Sequence, residues 1–224
     1  MDGSGNGFTL VASGTAVAVG KVGSARSTNG LSNQAGDIIS TFFPAGNSLV
    51  FPGPANKLTI SVWIYANAFG TNNLQDFVET TNSCGGGGNT GAFGFYDNGS
   101  GANCTNPGIA VCYHGLNGIT QYSTAAEPTA GVWHHYVAQY NLLANPEVTA
   151  LYIDNVAQNI SVCPTFNHPN ASDTFVSANL FVMQRTGGFG ILPQAGTAGK
   201  IDDLRIYGSL LSPGQIQQIY SSEN

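Results

Sequence analysis

Charged residues are scarce in this sequence. Asp, Glu, Lys and Arg make up 8% of its 224 residues, against roughly 25% in typical soluble domains. Twelve acidic residues outnumber six basic ones, which gives a formal net charge of −6. A nucleic-acid binder clusters its basic residues to displace counterions from phosphates. Here they are scattered singly: Lys21, Arg26, Lys57, Arg185, Lys200 and Arg205. Nucleic acid and anionic membrane surfaces are therefore poor candidates for a partner.

Long apolar segments are also missing. No apolar run approaches the roughly 20 residues that span a bilayer, so we expect no membrane insertion. Met1–Gly5 shows neither the basic segment nor the apolar stretch of a signal peptide. Solubility rests instead on Asn, Gln, Ser, Thr and Gly, as is common in secreted β-proteins. We therefore expect an excised or mature piece of a larger protein that is extracellular, on a cell surface or on a phage particle.

The motifs of common catalytic sites are absent. The sequence contains no Gly-x-Ser-x-Gly elbow, no His-Glu-x-x-His and no Gly-x-x-x-x-Gly-Lys phosphate loop. Gly85–Gly88 is interpreted as a flexible loop, because no lysine and no helix follow it to bind phosphate. His134 and His135 are adjacent, so on a strand they face opposite sides and cannot chelate one ion together. We expect no enzymatic activity.

Four cysteines, an even number, allow three pairings: Cys84, Cys104, Cys112 and Cys163. Zinc is the less favoured alternative, since there is no Cys-x-x-Cys and the nearest histidine is His114 beside Cys112. We expect two disulfides. One possible pairing joins Cys84 to Cys104 around a loop rich in Gly and Asn, and Cys112 to Cys163 between strands.

Short β-rich or alternating runs recur along the chain, separated by turn-forming Gly, Asn, Pro and Ser. The predicted strands are Phe8–Val11, Leu49–Phe51, Leu58–Ala66, Asp76–Thr80, Gly91–Tyr96, Ile109–Tyr113, Trp133–Tyr140, Val148–Ile153, Asn179–Gln184 and Gly199–Tyr207. One helix of two turns at most is predicted, with Ser212 as N-cap and Pro213 at its first position. This pattern, without βαβ alternation, predicts an all-β antiparallel sandwich. Without repeats or linkers, it predicts one domain over residues 1–224.

Several segments occur in a recognisable order. Leu58–Tyr65 alternates around a tryptophan, Gly131–Tyr140 leads to Ala150–Asn155, and Gly199–Tyr207 precedes the predicted helix. This order resembles the concanavalin A-like lectin/glucanase superfamily, in particular its laminin-G-like and pentraxin-like jelly rolls. The opening Asp2–Gly7 is also similar to the start of these domains. The resemblance covers nearly the whole chain and implies two stacked antiparallel sheets, one concave, with ligand loops along one edge. Family members usually carry a strand before the opening turn, and that strand is absent here.

The resemblance also implies a structural Ca²⁺ between the opening turn and the last strand. Asp2 and Asn6 offer hard oxygen ligands in a glycine-rich turn. Asp202 would complete the set, with Asp203 as the alternate because neighbouring residues on a strand face opposite sides. The other interpretation is that Asp2 and Asn6 form an ordinary solvated turn.

Glycosidases of the superfamily provide a test for catalysis. The retaining ones need two carboxylates on one strand, roughly 5 Å apart. The nearest match is Leu74–Glu79, in which Leu74 occupies the position of the nucleophile. Because no glycosyl-enzyme can form there, Asp76 and Glu79 are expected to be an exposed strand residue and a loop flank.

The resemblance implies a binding module, most simply a lectin-like one. Sugar sites combine an aromatic face with amides and carboxylates that pair with hydroxyls. Residues of these types in loops or late in strands are Asn72, Asp76, Tyr96, Asp97, Tyr113, His114, Tyr122, Gln184, Arg185 and Phe189. Trp63 and Trp133 fall at core positions of the family and are set aside. We expect a glycan or polysaccharide partner. The alternative is a structural or adhesive module that contacts protein, or copies of itself, through a sheet edge.

Overall fold

The chain folds into two antiparallel sheets and one C-terminal helix. The computed structural model describes residues 11–13, 15–29, 38–40, 56–69, 75–80, 92–97, 108–114, 120–144, 148–162, 180–183 and 198–224. The strands are β1 (Val11–Ser13), β2 (Ala16–Val19), β3 (Ser24–Asn29), β4 (Ile38–Ser40), β5 (Lys57–Ala66), β6 (Gln75–Thr80), β7 (Ala92–Asp97), β8 (Ile109–His114), β9 (Thr120–Ala125), β10 (Trp133–Asn141), β11 (Val148–Ile153), β12 (Val156–Ala157), β13 (Ser161–Val162), β14 (Leu180–Val182) and β15 (Ala198–Tyr207). The helix is α1 (Pro213–Glu223). Among these residues, no helix has the length and apolar content needed to cross a membrane.

The strand order is that of a jelly-roll sandwich. The eight-stranded sheet runs β1-β4-β14-β6-β7-β8-β9-β13, and the seven-stranded sheet runs β12-β11-β10-β5-β15-β3-β2. Strands distant in sequence are neighbours in both sheets, so the chain crosses repeatedly between them. The predicted fold class is confirmed.

The core lies between the two sheets. From Leu58 to Ile64, every second residue of β5 points into it, as the period of two in a strand requires. Aromatic side chains of the opposite sheet meet it: Phe95 lies 5.4 Å from Tyr136, and Phe93 lies 6.0 Å from Tyr140, measured between ring centroids. Each large apolar side chain contributes about 1.5–3 kcal/mol when fully buried.

Helix α1 packs on the outer face of the seven-stranded sheet. The predicted N-cap is confirmed: Gln215 N donates to Ser212 Oγ (3.3 Å), and Ser212 N donates to Gln215 Oε1 (2.9 Å). Ile216 is buried against Val137 of β10. The helix has 11 residues, about three turns rather than the two expected. Its extra turn ends at Glu223, whose side chain bonds to the sheet as described below.

The predicted strands from Leu58–Ala66 onward are confirmed, with ends shifted by one or two residues. The sequence interpretation missed six short strands: β2, β3, β4, β9, β12 and β13. Ser24–Asn29 is mostly polar and does not alternate, so it becomes a strand through its pairing with β15 and β2 rather than through its own propensity. Leu49–Phe51, and Phe8–Val11 apart from Val11, lie outside the described residues.

Gly199 is predicted to be essential for the β5–β15 pairing. A Cβ added there would lie 2.1 Å from the carbonyl oxygen of Tyr65. Gly199→Ala should therefore push the two strands apart and lower the free energy of unfolding by about 1–3 kcal/mol, measured by urea denaturation. Gly208→Ala is the matched control, since a Cβ at Gly208 meets nothing within 4 Å. Equal stability of the two variants would contradict the prediction.

Candidate functional site

A serine–histidine pair lies beneath α1. His135 Nε2 is 2.8 Å from Ser61 Oγ, and the His135 ring lies 5.1 Å from that of Trp63 and 5.9 Å from that of Tyr220. Burial lowers the pKa of His135 to about 4 despite the opposing charge of Asp154, so the ring is neutral at pH 7. Ser61 and His135 are each 1% exposed. The pair is therefore sealed from any substrate and supports the helix.

Its neighbour His134 faces the other way, as expected. His134 Nδ1 is 2.6 Å from Asp154 Oδ2, and its Nε2 is 2.8 Å from the carbonyl oxygen of Thr129. Asp154 also accepts from the backbone N–H of His135 at 2.9 Å. These contacts tie the start of β10 to the turn after β11, which makes His134 a structural residue.

Trp63 anchors the last turn of the helix. Its Nε1 donates to Glu223 Oε2 at 2.5 Å, and its ring stacks on Tyr220 at 5.7 Å. On the same tryptophan, Lys21 Nζ lies 4.8 Å from the ring centroid and donates to Asn224 Oδ1 at 2.7 Å. The C-terminus is thus fixed by an aromatic and charged cluster that includes the turn between β2 and β3.

The carboxylate of Glu223 is buried among charges. Arg205 forms ion pairs with both Glu223 and Asp203. Burial, followed by a hydrogen bond with the Asp203 carboxyl, raises the pKa of Glu223 to about 7, against the opposing bond from Trp63. A pKa near 7 predicts that the docking of the helix is sensitive to pH.

Asp202 holds the turn between β2 and β3. Its Oδ2 accepts from Val22 N at 2.8 Å, and its Oδ1 accepts from Asp203 N at 2.9 Å. A Cβ added at Gly20 would lie 2.3 Å from Asp202 Oδ2, so the turn approaches the carboxylate closely. Burial raises the pKa of Asp202, and the backbone bonds act in the opposite direction.

Asp202 and Asp203, the two candidate calcium ligands on β15, differ in how far their carboxylates are already engaged. Each carboxylate oxygen has two lone pairs, so Asp202 retains capacity for a cation. Asp203 lies in a bulge with φ 45° and receives the Arg205 side chain at both oxygens, with Nε to Oδ1 at 3.1 Å and Nη2 to Oδ2 at 2.6 Å. Within the described ranges, no group of three His, Cys, Asp or Glu residues could hold a metal ion. Asp2 and Asn6 lie outside those ranges, so calcium stays a prediction.

Three of the predicted sugar ligands are buried. Tyr113 is 1% exposed and packs in the core with Ile109 and Val111, because alternate residues of β8 point inward. Tyr96 is 3% exposed and Asp97 is 0% exposed. The expected exposed rim is therefore not formed by these three residues. Glu79, expected at a loop flank, is also buried, at 1% exposure within β6.

Of the remaining predicted ligands, some have a described backbone and others lie outside the described residues. The backbones of three lie on strands of the eight-stranded sheet: Asp76 pairs with Tyr96, His114 with Ala92 and Tyr122 with Cys112. Outside the described residues lie Asn72, Gln184, Arg185 and Phe189, together with Leu74.

Of the four cysteines, the structure describes one. Cys112 is fully buried in β8 and is not a free cysteine. Cys84, Cys104 and Cys163 lie outside the described residues, so the disulfide pairing stays a prediction.

A row of residues crosses the outer face of the seven-stranded sheet beyond the end of α1. We call it the outer row. In strand order, its members pair across β10, β5, β15, β3 and β2: Trp133, Tyr65, Lys200, Ser27 and Ala16. Because side chains alternate along a strand, the row shares its face with the helix-covered Trp63 and His135, which lie two residues away on their strands.

The outer row carries an aromatic pair beside a lysine. The rings of Tyr65 and Trp133 meet edge to face at 5.8 Å, and Lys200 Nζ lies 4.7 Å from the Tyr65 ring centroid. All three side chains are partly exposed. Trp133 was expected in the core, and this expectation is wrong: two residues from His135, it lies beyond the end of the covering helix. The alternation of side chains along β10 indicates the face on which Trp133 lies. How far helix α1 covers that face cannot be read from the sequence.

The chain belongs to the concanavalin A-like lectin/glucanases superfamily, whose laminin-G-like family matches residues 41–217. This confirms the resemblance noted in the sequence. No curated protein sequence matches the chain.

Solved structures share the fold. The binding domain of botulinum neurotoxin serotype G matches with a TM-score of 0.65 at 13% identity, over 100% of this chain and 48% of that one. Domain 4 of AbnA, a GH43 extracellular arabinanase from Geobacillus stearothermophilus in complex with arabinotriose, matches with a TM-score of 0.58 at 18% identity, over 98% and 91%. A heptameric SAP-like pentraxin from Limulus polyphemus gives 0.50 at 15%, over 74% and 70%. The chain spans about half the length of the neurotoxin binding domain. At these identities, the likeness shows the fold alone.

The raised pKa of Glu223 predicts a pH dependence of stability. The folded state holds this proton up to about pH 7, whereas the unfolded chain releases it near 4.5. The free energy of unfolding should therefore fall as the pH rises from 4.5 to 7. Glu223→Gln, which keeps an acceptor for Trp63, should flatten this slope and exceed the wild type in stability above pH 7. Thermal denaturation across this range is the measurement. Ser221→Ala, at an exposed position of the same turn, should retain the slope; a slope retained in Glu223→Gln would contradict the assignment.

Proposed function

We propose that the chain is a non-catalytic module that binds carbohydrate. The observation that carries this proposal is the partly exposed Trp133–Tyr65 pair beside Lys200 on the outer row. Aromatic faces pack against the C–H faces of sugars, and an ammonium group supplies three hydrogen-bond donors for hydroxyls. Asn67 is exposed just after the end of β5, and its amide could pair with a further hydroxyl.

The family and its structural neighbours support the proposal. The superfamily's description includes lectins, and the arabinanase domain with the same fold was solved with arabinotriose. The superfamily also includes glucanases. We infer an absence of catalysis from Leu74, which stands where a retaining glycosidase needs its nucleophile. The extracellular location expected from the composition agrees with such a module and is proposed with it.

Binding of the chain to a panel of soluble polysaccharides, measured by affinity electrophoresis and calorimetry, tests this function. We expect at least one ligand with micromolar to millimolar affinity and no release of reducing sugar. Trp133→Ala should weaken that binding. Failure of every saccharide, together with self-association in sedimentation, would instead favour the sheet-edge alternative. In the described part of the seven-stranded sheet, β2 is one of the two edge strands, with Val17 and Val19 exposed at 67% and 83%.

We also propose a structural calcium ion held by Asp202 together with Asp2 and Asn6. A ligand that binds only the folded state raises its stability, so millimolar Ca²⁺ should raise Tm relative to EDTA. Asp202→Asn should remove this calcium-dependent difference. Asp203→Asn should keep it, because Asp203 is committed to Arg205. Identical Tm values in Ca²⁺ and EDTA for the wild type would refute the ion.

A further inference from the structure

We propose that the outer row is a track for an extended polysaccharide that carries carboxylates, such as a uronate chain. This inference rests on the proposed carbohydrate binding and names its ligand class. It places the ligand across the strands of the seven-stranded sheet, from Trp133 on β10 towards Ala16 on β2.

The first argument is the shape of the surface. Five neighbouring strands contribute one residue each, and strands lie about 4.8 Å apart, so the row is about 19 Å long. That length accommodates several linked sugars. Ser27 and Ala16 are small and at least partly exposed, so a chain stacked on Trp133 could continue past Lys200 without meeting a bulky side chain.

The second argument is where the helix ends. Helix α1 covers Trp63 through Tyr220 and Glu223, and its C-cap residue Asn224 accepts from Lys21. Tyr65, the outer-row residue of β5, lies two residues beyond Trp63. The covered and uncovered parts of one face therefore lie side by side on β5, with the C-terminal turn over Trp63 and the proposed track starting from the neighbouring row.

The third argument is charge. Lys200 is the only charged member of the outer row, and no carboxylate forms an ion pair with Lys200 or Lys21 in the part of the chain that the structure describes. The nearest acid on β15, Asp202, directs its oxygens to the backbone N–H groups of Val22 and Asp203. Although the chain carries a net charge of −6, this surface presents ammonium groups that pair with none of the described carboxylates. Charge complementarity therefore favours a sugar with a carboxylate over a neutral one.

The Lys200 ammonium has spare bonding capacity. Its position over the Tyr65 ring uses the electrostatic attraction of the π face, and an ammonium group has three N–H donors to offer a ligand. A carboxylate bound at this exposed position should add a modest gain, screened by salt. The aromatic contact at Trp133 supplies affinity for any sugar, and Lys200 supplies the preference between sugars.

The test compares an oligogalacturonate with a neutral galacto-oligosaccharide of the same length and linkage, using calorimetry at low and high salt. We expect the acidic ligand to bind about two- to fivefold more tightly at low salt, with the preference lost at high salt. Lys200→Gln should remove the preference while retaining the neutral affinity. Trp133→Ala should weaken both ligands roughly tenfold or more. Leu143→Ala, at an exposed apolar position (58%) just past the opposite end of β10, is the control and should change nothing.

Fluorescence of the wild type provides a readout that needs no variant. Trp63 is 1% exposed and Trp133 is partly exposed, so acrylamide should quench Trp133 selectively. Bound oligogalacturonate should protect it from quenching. Equal binding of the acidic and neutral ligands would overturn the charge assignment. Saccharide binding without protection of Trp133, and unchanged in Trp133→Ala, would place the site elsewhere while the proposed function stands. No saccharide binding at all would refute both.

Discussion

Strand β5 packs on both of its faces, and the core and the position of helix α1 depend on these two sets of contacts. Its inward residues from Leu58 to Ile64 fill the core, while Thr59 on the outward side organises the chain that leaves β15. Thr59 Oγ1 donates to Ser209 O at 2.7 Å and accepts from Leu211 N at 3.3 Å. Gln139 on β10 donates to Leu211 O at 2.7 Å. These hydrogen bonds satisfy the buried side chains of Thr59 and Gln139. They hold Leu211 against the sheet and so fix where α1 starts.

Once the start of α1 is fixed, its length decides what the outer face can do. A helix that ended a turn earlier would uncover Trp63 and leave its Nε1 without Glu223. The bonds from Trp63 and Arg205 to Glu223 hold the third turn in place, and the surface beyond it stays open at Tyr65 and Trp133. The same contacts that stabilise the fold thus set the boundary of the proposed track.

The sequence predicts the strands that build the core, because alternation and β-branched content are local signals. It also predicts the cap at Ser212, whose capping partner Gln215 lies three residues away. It does not predict β3, whose polar residues take strand form from their neighbours, nor the burial of Tyr96 and Asp97, which depends on segments distant in sequence. The family resemblance places Trp133 in the core, and this is wrong for a similar reason. Family position identifies its strand, but its exposure depends on where a helix eighty residues later ends.

In this architecture, the residues that stabilise the fold are different from those that would select the ligand. At 13–18% identity to proteins with the same fold, the shared constraint is the alternation that buries one face of each strand. Outer-row residues such as Lys200 and Ser27 contribute little to that burial. Substitutions of these residues therefore cost little stability and can change which ligand the surface binds. A function assigned from fold alone would therefore stop at a binding module. The ligand class has to be argued from the charges and rings that the fold leaves uncovered, and the outer row brings three of these side chains together: Trp133, Tyr65 and Lys200.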